Sequence, residues 1–173
     1  MADRPAGPNR VRRFFRTPKG LLTLALVGLV ALAAPGEGVR RVPPGLGSAV
    51  AAAAIVDLPM LRRRAGAWEF PSGAVLTGLI VAMVLSPHEP WYVAPITSAL
   101  GVASKYLVRT RSANVFNPPA LAMVVTFYVF DTGLSWWGAL SEMAPILMVA
   151  LFGTGLFITD RVNKLPLVIA FLG

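Results

Sequence analysis

The sequence contains no cysteine, one histidine and few charged residues. Without cysteine, this chain forms no disulfide and supplies no thiolate to zinc or to an iron–sulfur cluster. The single histidine, His88, cannot build a metal site alone. No nucleophile–base pair and no phosphate-binding loop can be recognised. We therefore assign no catalytic or metal-binding residue and do not expect a self-contained soluble enzyme.

Apolar residues dominate instead. They make up 55% of the 173 residues, and only 14% are charged, where a soluble domain has about 25%. Mean hydropathy is +0.66, and the charges lie between apolar runs, which indicates a chain embedded in a lipid bilayer. A net charge of +8 would suggest nucleic acid for a soluble protein. No recognition helix or aromatic-basic patch accompanies it, so we expect the bilayer as partner and no nucleic acid.

Seven short apolar runs divide the chain. They cover residues 20–34, 45–61, 72–85, 91–108, 118–130, about 139–158, and 165 onward. We expect a basic cytoplasmic segment over 1–19 and a transmembrane domain over 20–173, with about six spans plus the start of a seventh. The last run reaches Gly173 without closing charges, so we expect a C-terminal part to be missing. A signal peptide is the alternative for the first run, but 33–35 (Ala-Ala-Pro) is a poor cleavage site.

The basic residues predict the orientation. If each run spans once and the N-terminus is inside, fourteen of the sixteen Lys and Arg residues lie on the inner side, and Arg40 and Arg41 lie outside. This bias follows the positive-inside rule and predicts a multi-pass protein of the prokaryotic inner (cytoplasmic) membrane with a cytoplasmic N-terminus. Trp91-Tyr92 and Trp136-Trp137 then share the outer side, either as an interfacial belt or as ordinary packing residues.

The third and fifth runs have only 14 and 13 residues, whereas a straight span needs about 20. Short apolar segments broken by Gly and Pro are typical of half-helices or re-entrant pieces, which must be buried in protein. The predicted fold class is therefore an all-α integral membrane protein, a polytopic helical bundle with short or broken helices.

Polar segments lead into both short runs, at residues 70–79 and 114–120. A helix N-terminus offers free N–H groups and partial positive charge, which suit an anion or a polar ring edge. Ser72 and Asn117 are also good N-caps, and Pro118 suits the first helical position. Capping alone is thus an alternative explanation for these residues.

Residues 72–79 (SGAVLTGL), the turn at 87–91, Lys105 and residues 114–118 (NVFNP) resemble the NqrB/RnfD family. This is the membrane subunit shared by the sodium-pumping NADH:quinone reductase and the Rnf electron transport complex. The resemblance runs from about Phe70 to Val125, with a short outer loop. It implies ten transmembrane helices in two inverted five-helix halves, a fold similar to urea transporters. This chain would hold one half and the beginning of the second.

The resemblance also implies a cofactor and partners. Family members bind flavin and carry electrons across the membrane, coupled to sodium or proton movement, within a complex of membrane subunits. FMN or another flavin is the implied cofactor. The family attaches FMN to a Thr in a Ser-x-Ala-Thr motif on a long loop after the fifth helix; residues 131–135 lack it, and 72–75 end in Val75. Covalent attachment is therefore not expected. The candidate cofactor-binding residues are Ser72, Gly73, Thr77, Gly78, Lys105, Asn114, Phe116, Asn117 and Pro118.

Two charged residues within apolar runs have alternative explanations. Asp57 is either part of an ion path or a snorkelling partner of the arginines at 62–64, and Lys105 is either a cofactor ligand or an orienting charge. The expected function is a non-autonomous subunit of a redox-driven complex, contributing a flavin environment and part of a coupled ion path. The alternatives are a solute channel or transporter of urea-transporter-like fold, and a structural membrane subunit. Bound flavin distinguishes the first from the others.

Overall fold

The computed structural model describes residues 14–66, 68–109, 114–136, 145–161 and 163–172, so residues 1–13 of the basic segment, Arg111 and Trp137 lie outside the described residues. The described chain is helical, with two isolated bridges and no longer strand. Its helices are α1 Pro18–Glu37, α2 Val42–Ala65, α3 Ser72–Val84, α4 Val93–Leu107, α5 Pro118–Phe130, α6 Pro145–Arg161 and α7 Leu165–Leu172. Each apolar run contains one of them, which confirms the predicted all-helical architecture.

Of the described helices, α1 and α2 are long and apolar enough to cross a membrane. α3 and α5 are shorter apolar helices of 13 residues each. The structure therefore contains the predicted mixture of long and short apolar helices.

Local chemistry explains where α2 ends. Gly66 has a φ of 68°, a left-handed conformation that glycine adopts without steric cost, and its N–H donates to the carbonyl oxygen of Arg62 at 3.0 Å. Arg62, Arg63 and Arg64 occupy the last turn, where positive charge interacts favourably with the helix dipole.

The two short helices begin differently. Asn117 is the N-cap of α5, and its side-chain Oδ1 accepts a hydrogen bond from the Ala120 N–H at 3.4 Å, as predicted. The prediction that Ser72 caps α3 is wrong. Pro71 occupies the N-cap position and its carbonyl oxygen accepts from two N–H groups of the first turn, at 3.0 Å each. Ser72 is therefore already helical, and no side chain caps α3.

The chain divides into two compact units. In the larger unit, residues 26–141, α4 packs against α2, α3 and α5, and α2 also packs against α3. One core cluster joins Ala53, Ala74 and Val102; another joins Val81, Leu85 and Val93. In the smaller unit, residues 1–25 with 142–173, α6 packs against α7.

The short helices differ in burial. α3 is enclosed by protein: its buried residues are Ala74, Thr77, Gly78, Leu79, Val81, Ala82, Met83 and Val84. This confirms the expectation that a short segment is covered by protein. α5 buries only one side, including Ala122 and Thr126, while Phe127 and Tyr128 on its other side are exposed.

Hydrogen bonds join three connecting segments at one end of the larger unit. The turn after α3 binds the loop after α5 twice: Ser86 N–H donates to Gly133 O at 3.0 Å, and Gly133 N–H donates to Glu89 Oε1 at 2.6 Å. The same turn carries His88, whose Nε2 lies 2.8 Å from Nη1 of Arg41, just before α2. We call these three contacts the outer clamp.

Candidate functional site

The two predicted motifs meet on either side of α4. A Cβ placed on Gly101 would lie 3.2 Å from Thr77 Cγ2 of α3 and 3.3 Å from Pro118 O of α5. The absence of a side chain at Gly101 therefore allows the three helices to approach closely. The sequence reasoning missed Gly101, although a glycine inside an apolar helical run is the signal for such an approach.

Thr77 and Gly78 serve packing in this structure. Thr77 is buried, and its hydroxyl donates to Gly73 O at 2.9 Å. A Cβ on Gly78 would lie 2.7 Å from Val50 Cα, closer than real Cβ atoms approach, so the backbones of α2 and α3 are in direct contact there. These contacts occupy two of the candidate cofactor-binding residues with interactions inside the protein.

A charged group connects α2 with α4. Asp57 Oδ1 accepts a hydrogen bond from the Tyr106 hydroxyl at 2.6 Å and lies 3.5 Å from Lys105 Nζ. The Asp57 side chain is 4% exposed and that of Lys105 is 19% exposed. We call Asp57, Lys105 and Tyr106 the carboxylate cluster. Asp57 is thus paired across the helix interface, and not with the arginines of its own helix as the snorkelling explanation expected.

The surroundings of the carboxylate cluster are partly apolar and partly cationic. Val56 and Tyr106 pack against the core cluster of Ala53, Ala74 and Val102. Arg64 Cζ lies 4.9 Å from the centre of the Tyr106 ring, a cation–π contact. A carboxylate buried beside apolar side chains is tolerated only when it is paired and hydrogen-bonded, and the cluster supplies both.

Lys105 lies across the first turn of α3. Its Nζ is 3.5 Å from the position of a Cβ on Gly73, so the glycine leaves room for the ammonium. Tyr106, the strongest hydrogen-bond partner of Asp57, was missed by the sequence reasoning. No spacing rule connects residues 57 and 106, because their contact exists only once α2 and α4 pack.

The second motif lies near the end of α4 but is mostly exposed. Asn114 forms an isolated bridge with Arg109, and Val115 N–H donates to Val108 O at 3.3 Å. Phe116 is 55% exposed, Asn114 and Asn117 are also exposed, and Pro118 is half-buried. The candidate cofactor-binding residues thus separate into a buried packing part and an exposed polar part.

Two cavities of the larger unit lie elsewhere. One of about 390 Å³ is apolar and is lined by α5 and by Leu134 and Trp136 of the following loop. Another of about 120 Å³ lies beside the outer clamp and includes Arg41, Glu89 and Trp91. Neither cavity is lined by a candidate cofactor-binding residue.

An all-helical chain with membrane-length helices, a short enclosed helix and a paired carboxylate between helices has the features of a helical membrane protein. The chain belongs to the NQR2, RnfD, RnfE family, whose sequence profile matches residues 17–171. This confirms the family resemblance drawn from the motifs.

Curated relatives agree with this assignment. The ion-translocating oxidoreductase complex protein RnfD of Shewanella amazonensis is 29% identical over 150 residues, 83% of this chain and 43% of that protein. The protein of the same name from Pseudomonas aeruginosa is 27% identical over 132 residues, 76% of this chain and 38% of the relative. That from Rhodobacter capsulatus is 32% identical over 65 residues, 37% and 18% respectively. The chain spans about two-fifths of the length of the first two relatives. No solved structure matches it.

Proposed function

We propose that this chain forms part of a membrane subunit of a redox-driven, ion-translocating complex in the prokaryotic inner membrane, with its N-terminus in the cytoplasm. The carrying observation is the carboxylate cluster: a helical unit rich in apolar residues keeps Asp57 and Lys105 paired between α2 and α4. Acidic and basic residues within membrane helices are costly, and they commonly mark ion or proton paths. The names of the relatives, which place them in an ion-translocating oxidoreductase complex, support the same role and imply other membrane subunits as partners.

We further propose a flavin, FMN or a related one, held without a covalent bond. Ser72, Lys105 and Asn114 offer hydroxyl, ammonium and amide groups, which match the carbonyl and nitrogen acceptors of a flavin ring, and exposed Phe116 offers an aromatic face. The exposed polar part of the candidate set therefore fits the group in its chemistry, while Thr77 and Gly78 shape the packing beneath. When bound, a flavin supplies one- or two-electron transfer, and the protein orients the ring and balances its charge.

The wider architecture is also a proposal. The larger unit supports one half of an inverted-repeat fold like that of urea transporters, because it combines short α3 and α5 with longer helices. In such folds, half-helices meet near the middle of the bilayer, where irregular backbone is covered by protein.

The visible spectrum of the full-length protein in mild detergent tests this function. A band near roughly 450 nm that leaves with the supernatant after acid precipitation is the expected result. We expect Asn114→Ala to lower the flavin content, and Ser135→Ala, in the loop after α5, to leave it unchanged. A band that stays in the pellet would contradict non-covalent binding. A colourless folded protein would contradict the flavin proposal and favour the channel alternative, which solute flux into liposomes then tests.

A further inference from the structure

We propose that Lys105 is an internal counter-ion that a mobile monovalent cation displaces from Asp57, while Tyr106 holds the carboxylate in place. The cation is Na⁺ or a proton, which share the chemistry of neutralising one carboxylate. This inference rests on the proposed ion path and assigns its exchange step to three named side chains.

The two contacts of Asp57 differ in length. The Tyr106 hydroxyl approaches Asp57 Oδ1 to 2.6 Å, within the range of a strong hydrogen bond to a carboxylate. Lys105 Nζ lies 3.5 Å from the same oxygen, beyond the roughly 2.7–2.9 Å of a close charged hydrogen bond. The hydroxyl therefore fixes the carboxylate, and the ammonium is the partner held less tightly.

Exposure indicates how a cation arrives. Asp57 is almost fully buried at 4%, whereas Lys105 is 19% exposed and therefore lies on the more accessible side of the pair. Beside Gly73 the ammonium meets no side chain at that position, only a gap that a Cβ would fill. Lys105 can therefore swing away over α3 without displacing another side chain there, and this uncovers the carboxylate.

The charges around the pair make the exchange balanced. Arg64 stacks on the Tyr106 ring, and Arg109 also acts electrostatically on Tyr106. α3 carries no titratable residue, and Tyr128 is the only one of α5. With Lys105 in place the carboxylate is neutralised, and a second cation has no net attraction to it. One monovalent cation enters as one ammonium leaves, so the charge at Asp57 stays compensated.

A static ion pair that only joins α2 to α4 is the competing explanation. The Lys105→Met variant separates the two, because Met keeps much of the side-chain volume and removes the tethered charge. Its matched control is the double variant Asp57→Asn with Lys105→Met, in which the carboxylate is also neutral.

The experiment measures thermal unfolding of the full-length protein in detergent. In one arm NaCl replaces choline chloride at constant ionic strength and pH; in the other the pH is lowered in choline chloride. We expect Lys105→Met to gain about 3 °C or more in melting temperature relative to the double variant. A gain in the first arm identifies Na⁺, and a gain in the second alone identifies the proton. Equal responses of both variants in both arms would overturn the proposal.

Two further results keep the test decisive. If Lys105→Met does not fold, Tyr106→Phe retains both charges, and we expect it to respond less than the wild type in the same arm; an unchanged response would overturn the proposal. Neither arm requires a redox cofactor. A colourless protein that responds to the cation therefore contradicts the flavin proposal alone, and a flavin-containing protein without the response contradicts this inference alone.

Discussion

At the scale of single residues, the cost of burying charge explains the arrangement around Asp57. An unpaired carboxylate taken out of water costs several kcal/mol, and removing one partner of a buried pair typically costs about 3–5 kcal/mol. Tyr106 and Lys105 both contact the same carboxylate oxygen. The three residues therefore form one energetic unit, and substitutions within it are not expected to be additive.

The different starts of α5 and α3 give a residue-scale prediction. Asn117→Ala removes the hydrogen bond to Ala120 N–H, so we expect a loss of roughly 0.5–1 kcal/mol in unfolding free energy. Ser72→Ala is the matched control and should cost less, because Ser72 is inside the helix and caps nothing. Thermal unfolding of both variants in the same detergent measures the difference; an equal loss in both would contradict the assignment of Pro71 as the cap of α3.

What the sequence could predict at this scale is local. The Asn-Pro pair at 117–118 carries its own instruction, because an amide side chain and a fixed φ act within one turn. At Ser72 the same kind of rule failed, since the adjacent Pro71 carbonyl began the helix one residue earlier. The pairing of Asp57 with Tyr106 depends on how two distant helices rotate against each other, and no local pattern encodes that rotation.

At the scale of elements, α3 is too short to cross a bilayer alone. Thirteen residues of helix extend about 20 Å, against about 30 Å of hydrocarbon. Protein encloses it instead, and its contact with α2 is close because Gly78 has no side chain. The length and composition of the run predicted this helix, whereas the glycine contact could be recognised only in three dimensions.

Gly78→Ala tests that contact. The new Cβ would lie 2.7 Å from Val50 Cα, and backbone cannot move aside as a flexible side chain does. We expect a loss of about 1–3 kcal/mol in stability, seen as a lower melting temperature and poorer yield of folded protein. Gly47→Ala in α2 is the control, because a Cβ there meets nothing within 4 Å. It should be neutral or slightly stabilising through its higher helix propensity. A Gly78→Ala variant as stable as that control would contradict the close packing.

At the scale of the whole molecule, the distribution of Lys and Arg predicts which end faces the cytoplasm. Arg62, Arg63 and Arg64 end α2 and Lys105 lies near the end of α4, so the carboxylate cluster is placed at the predicted inner end. Arg41 belongs to the outer clamp at the other end. The arrangement of charges in space thus agrees with the alternation read along the chain.

Because the chain has no cysteine, single introduced cysteines test this orientation without background. Glu69→Cys, between α2 and α3, and Ser135→Cys, after α5, both occupy exposed positions. We expect a membrane-impermeant maleimide to label Ser135→Cys from the outer side and Glu69→Cys only after the membrane is opened. Each variant is the control for the other, and the reverse labelling pattern would contradict a cytoplasmic N-terminus.

The outer clamp also determines where the helices can move. It ties the turn between α3 and α4 to the segments before α2 and after α5, so that end behaves as a pivot. From Val93 to Lys105, α4 forms a lever arm of about 18 Å, and a tilt of about 5° would carry the ammonium roughly 1.5 Å. Such a displacement is sufficient to open an ion pair that is already 3.5 Å long. A small rocking motion at the clamped end is thus amplified at the opposite end, where the carboxylate lies.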